Sequence, residues 1–244
     1  QKELGTREGK GLLYLGYGYK NIVSNFHLAG ENAYDHIDLS FVGKGTNTSD
    51  LPENLSYFSQ YLKSHPDIKT VADLGCGASP LLFQLAKKFP NIHFIGVDIN
   101  DKNIHIAKTV AKNHGIENIE YYEKNVLHID QLGKRNIDAI IGCYIFHQFH
   151  IPDLEKIIGN MKKLFGTRYI LLKEALYDPE NKKDLYQASQ FFPTYYLYHV
   201  LTKQNLYSGD IWKRVLGKYG YSLQNEASTH GKIFTYLEFV KDEK

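Results

Sequence analysis

The chain has 244 residues, of which 43% are hydrophobic and 23% charged, the make-up of an ordinary globular protein. Its net charge of +2 gives no reason to invoke nucleic acid or an anionic membrane surface as a partner. No apolar run approaches the roughly 20 residues of a membrane-spanning helix. Cys76 and Cys143 are the only cysteines, too few for a disulfide framework, and this points to a reducing cytoplasm. The opening residues, Gln1 to Glu8, include neither an initiator Met nor a signal-type hydrophobic region, which reads as a trimmed chain or a domain cut from a longer polypeptide.

Residues 1–68 lack strand–helix alternation and are rich in Gly, Asn and Tyr. Within them, Tyr14-Leu-Gly-Tyr-Gly-Tyr19 reads as a turn-rich connector rather than a phosphate loop, because no helix-forming run follows it. Lys44 to Asn54 reads as a loop, and 54–63 as a helix leading into the core. From residue 69 the pattern becomes regular. Strands are expected near 70–74, 92–97, 118–122, 137–143 and 168–174, and helices near 79–89, 101–114, 152–165 and 208–219. Such an order implies an α/β fold, a doubly wound parallel sheet with helices on both faces and right-handed crossovers.

Two sites stand out on that frame. The first is Asp73-Leu-Gly75-Cys-Gly77, which joins a buried strand to a helix whose first turn suits Pro80. Glycines at such a junction let a ligand approach the backbone. A dinucleotide fingerprint would require glycine at position 80, so Pro80 excludes it. Asp73 would repel a pyrophosphate and suits the ammonium of an amino-acid moiety. Asp98, ending the next strand, can accept hydrogen bonds from ribose hydroxyls. The second site is carried by His147, after the fourth strand, and Glu174, ending the fifth. Ligands of open parallel sheets bind beyond the carboxyl ends of the strands. A histidine there can take a proton near neutral pH, and a carboxylate on its second nitrogen fixes the tautomer.

Together, Asp73-x-Gly75-x-Gly77 and Asp98 resemble the first two motifs of class I S-adenosylmethionine-dependent methyltransferases. Tyr121-Tyr-Glu-Lys-Asn125-Val126-Leu127 is similar to that family's adenine motif, with Asn125 where Asp is usual, and Asn136 to His147 resembles the fourth-strand motif. The resemblance implies a Rossmann-like, seven-stranded, mostly parallel sheet over 69–244. Its final strands fall at about 221–228 and 232–241, the last antiparallel and inserted. Residues 1–68 would form a helical accessory or lid segment, with a linker to an upstream domain or a homodimer surface as the other roles open to it. The cofactor implied is S-adenosyl-L-methionine. Asp73, Gly75 and Gly77 would hold its amino-acid moiety, Asp98 the ribose, Asn125 and Val126 (with Leu127) the adenine, and Tyr144 the sulfonium through its aromatic face. Cys76 and Cys143 would be small apolar filler beside it.

Residues 144–149, 154–165 and 170–174 resemble small-molecule O-methyltransferases, with His147 as base and Glu174 as its partner. They look almost equally like the C-methyltransferase domains of polyketide synthases, which remove an acidic α-proton. Either resemblance implies a small-molecule or acyl-carrier-protein-bound acceptor and a domain of a larger megasynthase. A binding module without turnover is the reading from another class, opposed by the presence of both Asp73 and Asp98. Two departures stand out. Phe149 replaces the Trp of plant-type enzymes, and their second glutamate has no counterpart near Gln204-Asn205-Leu206. His147-x-x-His150 has a metal-ligand spacing, but Asp178 alone does not supply the acidic set of metal-dependent enzymes, so no metal is assigned. His27, His36 and His199 lie in accessory segments and none is singled out. Residues 184–205, with Phe191-Phe-Pro-Thr-Tyr-Tyr-Leu-Tyr198, read as an aromatic insertion, either packing on the sheet or walling the acceptor pocket.

Overall fold

The computed structural model describes residues 7–25, 36–176, 197, 199–229 and 234–243. The chain divides into two compact units, residues 1–124 and 125–244.

The first unit opens with α1 (Arg7–Gly18), α2 (Lys20–Ser24) and α3 (Leu39–Ser64). Here the structure corrects the sequence reading twice. Tyr14 to Gly18 is the end of a helix, and α3 runs through the expected loop at 44–54 with Pro52 inside it. Packing explains why poor helix formers are overridden. Gly18 sits where a Cβ would meet Val42 Cγ2 at 2.6 Å, so its missing side chain is what lets α1 approach α3. The Gly18 carbonyl accepts Asp38 N–H at 2.9 Å, and Lys44 Nζ lies 4.5 Å from the Tyr14 ring centroid. Further along α3, Asn54, Phe58, Tyr61 and Leu62 are buried at helical spacing, which anchors the helix beyond the proline.

Next come β1 (Thr70–Leu74), α4 (Pro80–Lys88), β2 (His93–Asp98), α5 (Asp101–Asn113) and β3 (Ile119–Glu123). β1 pairs in parallel with β2, and β2 with β3. Both β1 and β2 are buried over four successive residues, which is why they read as continuous apolar runs rather than alternating ones. Leu81, Leu82, Leu85 and Ala86 give α4 its buried face.

The second unit holds β4 (Ala139–Cys143), α6 (Ile151–Asn160), β5 (Tyr169–Ala175), α7 (Gly209–Gly217), β6 (Tyr221–Thr229) and β7 (Phe234–Lys241). β4 and β5 are parallel, whereas β7 is antiparallel to both β5 and β6. α6 continues into a wider turn, Met161–Phe165, that closes at Gly166 with φ +68°. The strand order is β3-β2-β1 in the first unit and β4-β5-β7-β6 in the second, seven strands in all among the described residues, so the Rossmann-like, mostly parallel architecture with an inserted last strand is the observed one.

Asn118 secures the turn from α4 into β2. Its Nδ2 lies 3.2 Å from Ala86 O, 3.2 Å from Phe89 O and 2.9 Å from Ile92 O. Asn118→Ala removes that donor from several carbonyls at once, and we expect a loss of about 1–2 kcal/mol. Urea titration should show a lower midpoint with an unchanged slope.

Candidate functional site

In the first unit, β1 gives way to a turn built on backbone conformations that favour glycine. Gly75 has φ +78° and Gly77 φ +56°, and Ser79, at φ +62°, leads into Pro80 at the first turn of α4. The turn is held from β2. Gly75 N and Cys76 N donate to Val97 O at 2.8 and 3.0 Å, and Gly77 N donates to Asp98 Oδ2 at 2.8 Å. Asp98 Oδ1 accepts Asn100 N–H at 2.8 Å. Each carboxylate oxygen carries a second lone pair, so Asp98 can brace the glycine turn and still accept from another group. Above Gly77 there is open space, with nothing within 4 Å of where a Cβ would sit. Gly96 is a determinant that the sequence reading did not single out. A Cβ there would lie 2.6 Å from Tyr121 Cδ1 and 2.9 Å from Cys76 Sγ, so only glycine lets these side chains close beneath the turn. A glycine one residue from Val97 inside an apolar strand was the available signal.

Asp73 is 5% exposed, and no hydrogen bond or ion pair satisfies it among the described residues. Burial, and then the nearby charge of Asp98, push its carboxyl up to about 8. Burial also raises Asp98, against the backbone N–H groups of Asn100 and Gly77 that favour its charged form. The Cys76 thiol is pushed well above its ordinary value by burial and then by Asp73, which fits inert filler rather than a nucleophile. A buried, unsatisfied carboxylate beside an open glycine turn suits a cationic ligand group.

The second unit carries the other candidates. Asn125 Oδ1 accepts Leu127 N–H at 2.9 Å and so caps the short helix Val126–Leu132, with Val126 buried. One lone pair of that oxygen is therefore committed to the backbone. Tyr144 has φ +55°, and its ring meets Phe234 edge-on at 5.4 Å and Lys173 Nζ at 5.5 Å. Lys173 is itself buried, with the Tyr236 ring 5.0 Å from its Nζ. The aromatic face expected to meet a sulfonium thus already attracts one cation.

His147 lies in the single turn Phe146–Gln148 and is 3% exposed; Glu174, near the end of β5, is fully buried. Glu174 Oε1 accepts Phe146 N–H at 3.0 Å, and Oε2 lies 2.6 Å from His147 Nδ1. Sequence spacing alone had paired these two residues. What it left open is His199, equally buried, whose Nε2 lies 3.1 Å from His147 Nε2. Asn205, in the stretch searched for a second glutamate, contributes backbone instead, donating its N–H to His147 O at 3.0 Å. Its Nδ2 and the Tyr207 hydroxyl both donate to Phe149 O, at 3.3 and 2.9 Å. His150 starts α6 without capping it and lies 3.5 Å from Asn205 Nδ2. His36 is half-buried in the first unit. His27, Asp178 and the aromatic stretch 191–198, apart from the exposed Leu197, lie outside the described residues.

Comparison with known proteins follows the same lines. A family model described as a methyltransferase domain matches residues 66–225. A tRNA (guanine-N(7)-)-methyltransferase of Porphyromonas gingivalis is 27% identical over 131 residues, 54% of this chain and 51% of that protein. The chain thus spans about half the length of this curated relative. An O-methyltransferase family protein from Burkholderia thailandensis superimposes with a TM-score of 0.71 at 17% identity, over 97% of this chain and 72% of the other. Magnesium protoporphyrin IX methyltransferase from Synechocystis, crystallised with SAH, gives 0.60 at 18% identity, over 96% of this chain and all of the other (100%). At these identities the structural likeness is one of fold.

The Asp73 environment has a measurable signature. Its carboxyl stands at about 8 in the folded chain against an ordinary 3.8, so the fold prefers the protonated form. That contribution to stability is complete below the ordinary value and is lost as pH rises through about 8. We expect Asp73→Asn to match the parent only below the ordinary value of 3.8, to gain on it progressively as pH rises from there to about 8, and to unfold at a higher temperature near pH 9, as read by calorimetry.

Proposed function

The chain belongs to the methyltransferase-domain family, and from that premise we propose that it methylates a hydroxyl oxygen, with His147 as general base and Glu174 as its orienter. S-adenosyl-L-methionine, the cofactor of this fold, supplies a methyl group made electrophilic by a sulfonium. The residues present suit it. Asp73, buried and unsatisfied among the described residues, matches its ammonium, and the positive-φ Gly75 and Gly77, with open space at Gly77, admit its amino-acid moiety. Asp98 keeps lone pairs for the ribose hydroxyls, and Asn125 with Val126 is assigned to the adenine. Tyr144, whose ring already attracts an ammonium, offers the same quadrupole to the sulfonium.

The observation that carries the oxygen-directed reading is the buried His147–Glu174 contact of 2.6 Å. With Glu174 accepting Nδ1–H, the neutral imidazole carries its lone pair on Nε2, the tautomer needed by a base. A hydroxyl is a weak nucleophile until its proton is leaving, so this proton transfer governs the rate. As His147 becomes imidazolium, Glu174 stabilises it. For the acceptor we favour a small molecule or a β-hydroxyacyl chain on a carrier protein of a polyketide or mixed synthase. The near balance of 29 basic and 27 acidic residues gives no electrostatic footprint for RNA. Cys76 and Cys143 are not joined in a disulfide, which supports a reducing cytoplasm.

His147→Ala should lower turnover by about 10²–10⁴ while leaving S-adenosylmethionine affinity intact. A variant turning over at the parent rate would remove His147 from the mechanism. In Glu174→Gln an amide N–H replaces the acceptor facing Nδ1, which forces the proton onto Nε2. We expect a loss on the order of 10³–10⁴, of the kind seen when an orienting acid is replaced by its amide. Mass spectrometry of β-hydroxyacyl and β-ketoacyl carrier substrates identifies the methylated atom, and a C-methylated product would overturn the oxygen assignment.

Binding of the cofactor gives a separate check. Asp73 must ionise to pair with an ammonium, so below its folded value of about 8 binding expels a proton. Affinity should rise from pH 6 to pH 7, with heats in calorimetry that depend on the buffer's ionisation enthalpy. Asp73→Asn should bind weakly and lose that buffer dependence.

A further inference from the structure

We propose that His199 is the residue that makes the site select a hydroxyl, by donating its Nε2–H to the same oxygen whose proton His147 removes. The inference rests on His147 acting as base. Both oxygens of Glu174 act as acceptors, one from Phe146 N–H and the other from His147 Nδ1–H. Neutral His147 is then bare at Nε2. Its 3.1 Å contact with His199 Nε2 is a hydrogen bond only if His199 carries the proton. The two nitrogens lie closer together than the ring centroids, which are 4.9 Å apart, so the Nε2 edges face one another across a 49° tilt.

That spacing is built in. Asn205 N–H binds His147 O, Asn205 Nδ2 and the Tyr207 hydroxyl bind Phe149 O, and Gln204 N–H returns to His199 O. The segment bearing His199 is thereby pinned to the turn bearing His147. In the resting protein the donor of one histidine satisfies the acceptor of the other, so neither buried Nε2 is left unmatched. An entering hydroxyl takes over both partners as the two imidazoles part by about an ångström to admit its oxygen. It accepts from His199 Nε2–H and donates to His147 Nε2.

The step balances on one oxygen. One lone pair forms the bond to the methyl carbon while the carbon–sulfur pair leaves with sulfur. A second lone pair accepts from His199, and the O–H proton passes to His147 Nε2. A neutral amine has a single lone pair, which the attack consumes, so it leaves the His199 donor unmatched and buried. A carbon acid loses its proton from one atom and presents its oxygen on another, whereas the two Nε2 atoms face a single point.

The test uses the full chain labelled with ¹⁵N-histidine. Long-range ¹H–¹⁵N spectra at pH 8 should show His199 protonated at Nε2, and His147 protonated at Nδ1 and bare at Nε2. A proton on His147 Nε2 there overturns the proposal. Turnover is then compared on a β-hydroxyacyl pantetheine thioester and its β-amino analogue. The change in their rate ratio between parent and variant cancels the amine's own ionisation. His199→Gln keeps an N–H donor and should keep the parent ratio. His199→Leu should slow the hydroxyl substrate about tenfold, the rate equivalent of one hydrogen bond, and narrow the ratio by a similar factor. An unchanged ratio in a His199→Leu protein that binds S-adenosylmethionine normally overturns the assignment. Full activity of His147→Ala sinks the base reading instead, and the nitrogen spectra report on the His199 proton separately.

Discussion

A carboxylate with no exposed surface has to be satisfied within the fold, and Glu174 organises its surroundings for that reason. One oxygen takes the Phe146 amide and the other takes His147 Nδ1, so a single side chain sets the path of the turn after β4 and the orientation of the imidazole. The close fit continues beneath it. A Cβ at Gly142 would meet the Phe146 ring at 2.2 Å, so the glycine ahead of the turn is as necessary as the acid behind it. His199, Asn205 and Tyr207 then pack against an already fixed His147–Phe149 segment.

The two buried acids, Asp73 and Glu174, differ in what meets them. Glu174 finds a histidine and a backbone amide, whereas Asp73 finds neither hydrogen bond nor cation among the described residues, with Asp98 as a like charge nearby. Satisfaction at one and frustration at the other are the expected marks of an internal support and a ligand contact respectively. The glycine turn beside Asp73 belongs with the second kind. Its positive-φ positions spend conformational freedom on open space rather than on packing.

From residue 69 onward the sequence was legible because most strands there are short, largely apolar segments bounded by turn residues. β1, β2 and β5 are buried on both sides, and α4, α5 and α6 keep their apolar stripes. Residues 14–18 and 44–53 were misread because their helices depend on each other, whereas the helix expected at 54–63 is the last part of α3. Gly18 is a helix breaker by propensity, and its value at the α1–α3 contact exists only once Val42 is beside it. The site divides in the same way. Asp73, Asp98, His147 and Glu174 sit at strand ends, where topology alone brings chemistry together. His199 is 52 residues from its partner, in a short helical turn at 199–201, and no periodicity encodes that meeting. Gly96 and Lys173 were hidden for the opposite reason, as they resemble ordinary strand residues until Tyr121, Cys76, Tyr144 and Tyr236 close around them.

The inserted strand β7 carries a consequence for biosynthesis. β5, which bears Glu174, pairs along its whole length with β7, from Tyr169 opposite Val240 to Ala175 opposite Phe234. During synthesis that flank of β5 stays open until residues 234–241 have left the ribosome, some sixty residues after Glu174 at a pace of about 5–20 residues per second. For those seconds a strand that is buried throughout in the folded chain presents unpaired amides and carbonyls, the kind of edge that recruits other chains. The unit that holds Glu174 is therefore completed last and all at once. Chaperone demand, rather than equilibrium stability, should set how much of the protein a cell can accumulate.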